Sequence, residues 1–196
     1  MRVIVIGGTG TIGSAVVEAL QGRHEVIAAS RRGEPRADLA DARTIATLFE
    51  RYDNVDAVVC CAASAPLASL TDTSEEQFLA SVTPKLLGQV GLTIQAAARL
   101  RDGGSITLTS GAIPEGTAGA AGGAMVNAGL EAFVRAAAPE LPRGLRLNAV
   151  SPGWVAETLT ALGMDATEGV PAAEVASAYA AAVEGDLRGE ILRPGT

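Results

Sequence analysis

One group of residues has both the types and the spacing to do chemistry, and a second has the types. The first is Gly7-Gly8-Thr9-Gly10-Thr11-Ile12-Gly13, which follows the apolar run Val3-Ile4-Val5-Ile6 and precedes a helical pattern from Ser14 to Leu20. Glycines there permit a tight turn and let the backbone approach a pyrophosphate. The following helix adds unpaired N–H groups and a positive dipole end. A plain strand-to-helix turn does not require three glycines at these spacings. Gly7, Thr9, Gly10, Thr11, Ile12 and Gly13 therefore read as a dinucleotide cradle. The second is a set of types alone, Lys85 (the single lysine of the chain), Ser110 and Asn127, which lie far apart and are joined by no spacing of their own. An amine, a hydroxyl and an amide can hold and protonate a reacting oxygen. Each also has a plain structural reading: a solvated helix lysine after Pro84, a strand-end serine bonded to nearby backbone, and a helix amide satisfied by backbone. A Ser110/Lys85 hydrolytic pair is conceivable, but nothing else in the chain supports it.

The second apolar run, Glu25 to Ala29, ends at Ser30-Arg31-Arg32. An NAD-preferring site places an acid here to accept bonds from the ribose 2′-hydroxyl. A hydroxyl and two guanidiniums suit a 2′-phosphate instead. The expected cofactor is NADP(H), ahead of NAD(H).

These residues need elements to carry them, and strand and helix patterns alternate along the whole chain. Buried-strand runs stand at Val3–Ile6, Glu25–Ala29, Ala57–Cys61, Ser105–Thr109, Leu145–Val150 and Glu190–Leu192. Between them, helical patterns cover Asp41–Tyr52, a start at Ser74 with Gln77 three residues on, and a stretch from about Lys85 to Leu100. Further helices read from Ala124 to Leu141, with Pro139 shortening or kinking the end, and from Ala172 to Glu184. This rhythm predicts an α/β fold, a Rossmann-type doubly wound parallel sheet, in one domain over residues 1–196.

Composition narrows the function. Apolar residues make up 48% of the chain and the net charge is −7. The one basic cluster, Arg31, Arg32 and Arg36, is enough for one phosphate and too small for a nucleic-acid footprint. There is no signal-peptide pattern and no uninterrupted apolar stretch of about 18 residues. Adjacent Cys60 and Cys61 make a poor disulfide and read as reduced core residues of a cytoplasmic protein. His24, the only histidine, reads as a surface residue, and no metal site is expected.

At this point the chain resembles the short-chain dehydrogenase/reductase family over nearly its whole length. The glycine turn fits that family's looser form. Asp38-Leu39 resembles its acidic-apolar pair near the adenine. Asp56 to Ala63, ending Cys60-Cys61-Ala62-Ala63, stands where the family has a strand ending Asn-Asn-Ala-Gly. The run Leu145 to Gly153, LRLNAVSPG, resembles the strand and Pro-Gly turn beside the nicotinamide. The resemblance implies cofactor contacts at Cys61, Ala62, Ala63, Pro152, Gly153 and Val155, an active-site serine at Ser110, and a homodimer or homotetramer built on the alanine-rich helices.

The catalytic positions depart from the family pattern. Thirteen residues beyond Ser110 the family has its tyrosine, and here stands Gly123; four further on its lysine is replaced by Asn127. The family's catalytic asparagine falls on Lys85. The lysine and asparagine have in effect traded places. The resemblance marks a divergent short branch without the Tyr/Lys pair. It implies an NADP(H)-dependent oxidoreductase of a small carbonyl or alcohol, with Lys85 as acid or electrostatic stabiliser. The alternatives are an NADP(H)-binding or redox-sensing protein without turnover, and a non-redox lyase or isomerase. The family's carboxamide-binding threonine falls on Glu157, with Thr158 one residue late, and the short segment Leu159–Val170 stands where the family has a substrate lid.

Overall fold

In a computed structural model that describes residues 1–62 and 67–195, six strands and six α-helices alternate up to the fifth strand, after which two helices precede the last strand. The order is β1 (Arg2–Ile6), α1 (Thr11–Gln21), β2 (Glu25–Ala29), α2 (Ala42–Arg51), β3 (Ala57–Cys60), α3 (Glu75–Arg99) and β4 (Ser105–Thr109). Then come α4 (Ala121–Ala137), β5 (Arg146–Val150), α5 (Ala156–Ala161), α6 (Ala172–Glu184) and β6 (Ile191–Leu192). All pairings are parallel, in the order β2-β1-β3-β4-β5-β6. The expected doubly wound sheet in a single domain is what forms.

The β-branched runs are long enough to be buried on both faces, and the sheet uses both. Ile4, Ile6, Val58, Ile106, Leu108 and Leu147 face α2, α3 and α4 in one core. Val3, Val5, Ala57, Val59 and Val150 face α1 and α6 in the other. The chain leaves β1 for β2 on one side and returns to β3 on the other. That reversal opens a crevice at the carboxyl ends of the strands, where open α/β sheets bind ligands.

Three details differ from the sequence reading. The helix expected from about Lys85 begins at Glu75 and runs unbroken through Pro84. A capping box starts it: Ser74 Oγ accepts from the Gln77 amide, and Gln77 Oε1 accepts from the Ser74 amide. Pro84 removes one helical donor, but Val82, Leu92 and Ala96 anchor the helix to the core on both sides of it. Second, the helix expected from Ala124 begins at Ala121; it ends at Ala137, shortened ahead of Pro139 as expected, and a 3₁₀ turn carries the chain on. Third, His24 is not a surface residue. Its side chain is 10% exposed, and its Nε2 pairs with Glu184 Oε1 at 2.8 Å, joining the β2 approach to the end of α6.

Candidate functional site

A crevice of about 590 Å³ lies along the carboxyl ends of β2, β1 and β3 and against α3. Gly7, Thr9, Gly10, Thr11, Ile12 and Gly13 form its floor. The turn is built for close approach. A Cβ on Gly13 would lie 2.0 Å from the Gly7 carbonyl oxygen, so only glycine lets α1 begin this tightly against the turn. Gly7 adopts φ +81°, and a Cβ there would meet the Ala62 amide at 2.7 Å. Gly10 is the N-cap of α1, and no side chain caps that helix end. The first amides of α1 are thus available to an anion.

Ser30, Arg31, Asp38 and Leu39 line the same crevice, as do Cys61 and Ala62. The Asp38–Leu39 segment is held by α3: a Cβ on Gly88 would stand 2.7 Å from both Leu39 Cβ and its carbonyl oxygen. Arg32, Pro152, Gly153 and Val155, expected at the cofactor, stand outside this wall. The chain folds back after Arg32, with Gly33 so close to Ser30 that a Cβ would meet its Oγ at 2.4 Å. The Pro152 carbonyl accepts from the Ala112 amide, and Val155 is buried in the α6-side core. Ala63 lies outside the described residues. Of the two residues after the Pro-Gly turn, Thr158 lines the crevice. Glu157 turns away and accepts the Ala172 amide at the start of α6.

Lys85 lines the crevice from the α3 side and is 6% exposed. Its Nζ donates to Asn127 Oδ1 at 2.8 Å and to the Ser110 carbonyl at 3.0 Å. Asn127 Nδ2 donates to the Gly111 carbonyl at 2.7 Å. The structure therefore joins Lys85, Ser110 and Asn127, which are far apart in sequence. The plain reading of Lys85 as a solvated residue fails, because Val82 and Gln89 of its own helix pull this face inward. Burial pushes the Lys85 ammonium down to about 8. An ammonium has three donors, and two are used here.

The Ser110 hydroxyl is held elsewhere. Its Oγ donates to Glu131 Oε1 at 3.2 Å, and Ser151 Oγ donates to the same oxygen at 3.0 Å. Arg193, just past β6, reaches Glu131 Oε2 at 2.6 Å. One carboxylate on α4 thus ties together the ends of β4, β5 and β6. Burial pushes the Glu131 carboxyl up, but its bonds to Arg193, Ser151 and Ser110 outweigh this and hold it below the usual range. Sequence reading missed Glu131; its one signal is the spacing of four from Asn127, which puts both on one helix face. Also missed was Gln89, whose amide donates to the Lys85 and Thr109 carbonyls and whose oxygen accepts the Thr109 amide, locking α3 to β4 beneath the site. Tyr179 is fully buried on α6, with its hydroxyl bonded to Thr109 Oγ1 and not facing the crevice. Gly123 stands against Ile113, whose Cδ1 a Cβ would meet at 2.9 Å. Among the described residues no group of His, Cys, Asp and Glu side chains is placed to hold a metal ion.

A family model described as enoyl-(acyl carrier protein) reductase, one of the short-chain dehydrogenase models, matches residues 11–184. The chain belongs to the short-chain dehydrogenase/reductase family. Solved structures agree. The protein lin1944 from Listeria innocua is 36% identical, with a TM-score of 0.91 over 98% of each chain. A small-chain dehydrogenase solved in complex with NADPH is 28% identical, with a TM-score of 0.85 over 98% of this chain and 95% of that one. A short-chain dehydrogenase/reductase from Brucella melitensis shares the fold at 20% identity and a TM-score of 0.82, over 98% and 94%. No curated protein matches the chain. This member of the family keeps the fold that presents the nucleotide turn.

Proposed function

We propose that this short-chain dehydrogenase is an NADP(H)-dependent oxidoreductase of a small carbonyl or alcohol substrate, from a divergent branch in which Lys85 replaces the Tyr/Lys pair. The observation that carries the reading is the placement of Lys85: buried, lining the crevice, and held by Asn127 and the Ser110 carbonyl. The glycine turn and the uncapped start of α1 suit a pyrophosphate, and Ser30 with Arg31 suit a 2′-phosphate. The relative solved with NADPH supports that choice of nucleotide. NADPH, when bound, supplies the hydride. The chain's own part is proton delivery and orientation. Two hydrogen bonds fix the Lys85 amine, and its third N–H is free for a substrate oxygen that gains charge. A Lys85 value near 8 leaves a proton that can be given up at neutral pH. The test is NADPH oxidation against a panel of small aldehydes and ketones. Wild type should turn over at least one of them, and Lys85→Met should lose most of that rate at unchanged NADPH affinity. Equal rates would sink the role of Lys85.

One observation favours a second reading, nucleotide binding or redox sensing without turnover: the Ser110 hydroxyl donates to Glu131, and Gly123 offers no acid. Tight NADPH binding with no turnover across the panel would support it. We further infer a cytoplasmic homodimer or tetramer. No described helix is long and apolar enough to cross a membrane. Leu87 and Ile94, seven residues apart on α3, are 59% and 66% exposed, which suits a helix face shared with a second copy. Light scattering on Ile94→Glu, expected to give monomers, checks the assembly.

A further inference from the structure

Just past β4 the backbone is handed from the sheet to two helices. The Ser110 amide still donates to the Val150 carbonyl, and the Ala112 amide to the Pro152 carbonyl. Between them, two carbonyls turn outward. That of Ser110 accepts Lys85 Nζ at 3.0 Å, and that of Gly111 accepts Asn127 Nδ2 at 2.7 Å. These bonds run to helices, so strand pairing does not set the direction of the two carbonyls. Side chains of α4 do. Asn127 and Glu131, one helical turn apart, grip the consecutive residues Gly111 and Ser110.

Glu131 divides its work between two oxygens. Oε1 accepts the hydroxyls of Ser110 at 3.2 Å and Ser151 at 3.0 Å. Oε2 faces two guanidiniums, Arg193 at 2.6 Å and Arg135 at 3.6 Å. Anchored on that side, the carboxylate is a fixed acceptor on the other. It holds the Ser110 hydroxyl outside the crevice wall, while the carbonyl of the same residue holds the amine that lines it.

We propose that Glu131 is a positioning residue for Lys85, and that the Ser110 hydroxyl is the handle it holds and not a group that touches substrate. This rests on the reading of Lys85 as the proton donor. Releasing the Ser110 side chain frees its peptide to turn, and the amine loses a bond that favours its charged form. The remaining N–H then loses its direction toward a substrate oxygen. Among the described residues, the titratable group acting on Lys85 is the Cys60 thiol. Burial pushes that thiol up to about 12, so it stays neutral while the amine titrates.

Lys85 is the only lysine of the chain, so isotopically labelled lysine gives a single side-chain NMR signal, whose titration is read without turnover. Its midpoint should stand near 8 in wild type. In Glu131→Leu it should fall to about 7.5 or lower, and kcat should fall about tenfold at unchanged NADPH affinity. Ser110→Ala keeps the carbonyl and loses the handle. It should give the same two effects, and the double variant no more than either alone. Glu131→Gln keeps an oxygen for the two hydroxyls and should retain most of both. Tyr179→Phe, of comparable cost in stability, should leave the midpoint in place; an equal shift there would trace the effect to lost stability and overturn the proposal. A midpoint unmoved in Glu131→Leu or in Ser110→Ala overturns it too. So does a double variant whose kcat falls well below that of either single one, because the hydroxyl would then act on substrate itself. Should Glu131→Leu fail to fold, the midpoint in Ser110→Ala decides. If Lys85→Met keeps the wild-type rate, the proton-donor reading falls instead, and the midpoints still report whether Glu131 positions the amine.

Discussion

Lys85 on α3 donates a hydrogen bond of 2.8 Å to Asn127 on α4, across 42 residues of sequence. The two helices thus bring an ammonium and an amide together beside the crevice. Two of the ammonium's donors are spent on Asn127 and on the Ser110 carbonyl, so its orientation is set by the protein.

That arrangement predicts a pH profile. Lys85 gives a proton only while charged, and its value stands near 8. Carbonyl reduction should therefore hold below that pH and fall as pH rises through about 8, with the slope of one proton. Lys85→Met should lower kcat about 100-fold or more and abolish this limb, by the usual size of general acid catalysis. A limb at the same pH in the variant would assign the titration to another group.

Glu131 predicts a dependence at the other end of the scale. Its carboxyl is held below the ordinary value in the folded chain, so the ionised form stabilises the fold at neutral pH. That contribution is present above the unfolded value, about 4.3, and is lost as pH falls through it toward the folded value. Glu131→Gln should lower the melting temperature at pH 7 by about 2–4 °C, equivalent to about 1 kcal/mol. The gap to wild type should close progressively below about pH 4. A gap that stays constant over that range would mean the carboxylate contributes by packing and not by charge.

Two glycines should respond oppositely to alanine. At Gly13 the new methyl meets backbone, the Gly7 oxygen at 2.0 Å, and the turn must open. Gly13→Ala should abolish measurable NADPH binding and cost about 1–3 kcal/mol of stability. At Gly123 the neighbour is the tip of a flexible isoleucine, and alanine removes a helical glycine. Gly123→Ala should raise stability by up to about 1 kcal/mol with NADPH affinity unchanged. Thermal melts and titration of both variants check the contrast.

Tyr179 offers a control that separates the core from the site. Its hydroxyl is buried and bonded to Thr109 Oγ1, which also donates to the Cys60 carbonyl. Tyr179→Phe should cost about 1 kcal/mol, or roughly 2–4 °C, because one buried bond is lost while Thr109 keeps a partner. NADPH affinity and turnover should not change. A loss of turnover at full affinity would bring Tyr179 into the chemistry.

Much of this protein could be read from local chemistry. Short β-branched runs can only be strands buried on both faces, so Val3–Ile6 and Ala57–Cys60 announced a parallel sheet. The glycine turn was equally legible, since its conformation depends on residues adjacent in the chain. The capping box at Ser74 was read correctly, yet the continuity of α3 through Pro84 was not, because distant core contacts carry the helix past a local breaker.

What the chain could not reveal locally is where side chains point and whom they meet. For Lys85 a solvated lysine and a proton donor at the cofactor are equally open readings, because nothing near it in sequence shows that α4 and the end of β4 close over it. His24 looked exposed because its partner Glu184 lies 160 residues away. Glu131 was invisible because its meaning comes from three strand ends that only the sheet brings together. The sequence by itself determined the fold and the nucleotide turn, both written in short-range periodicity and glycine placement. The tertiary structure alone decided which polar groups are buried together, because burial and hydrogen-bond partnership arise between elements remote in the chain.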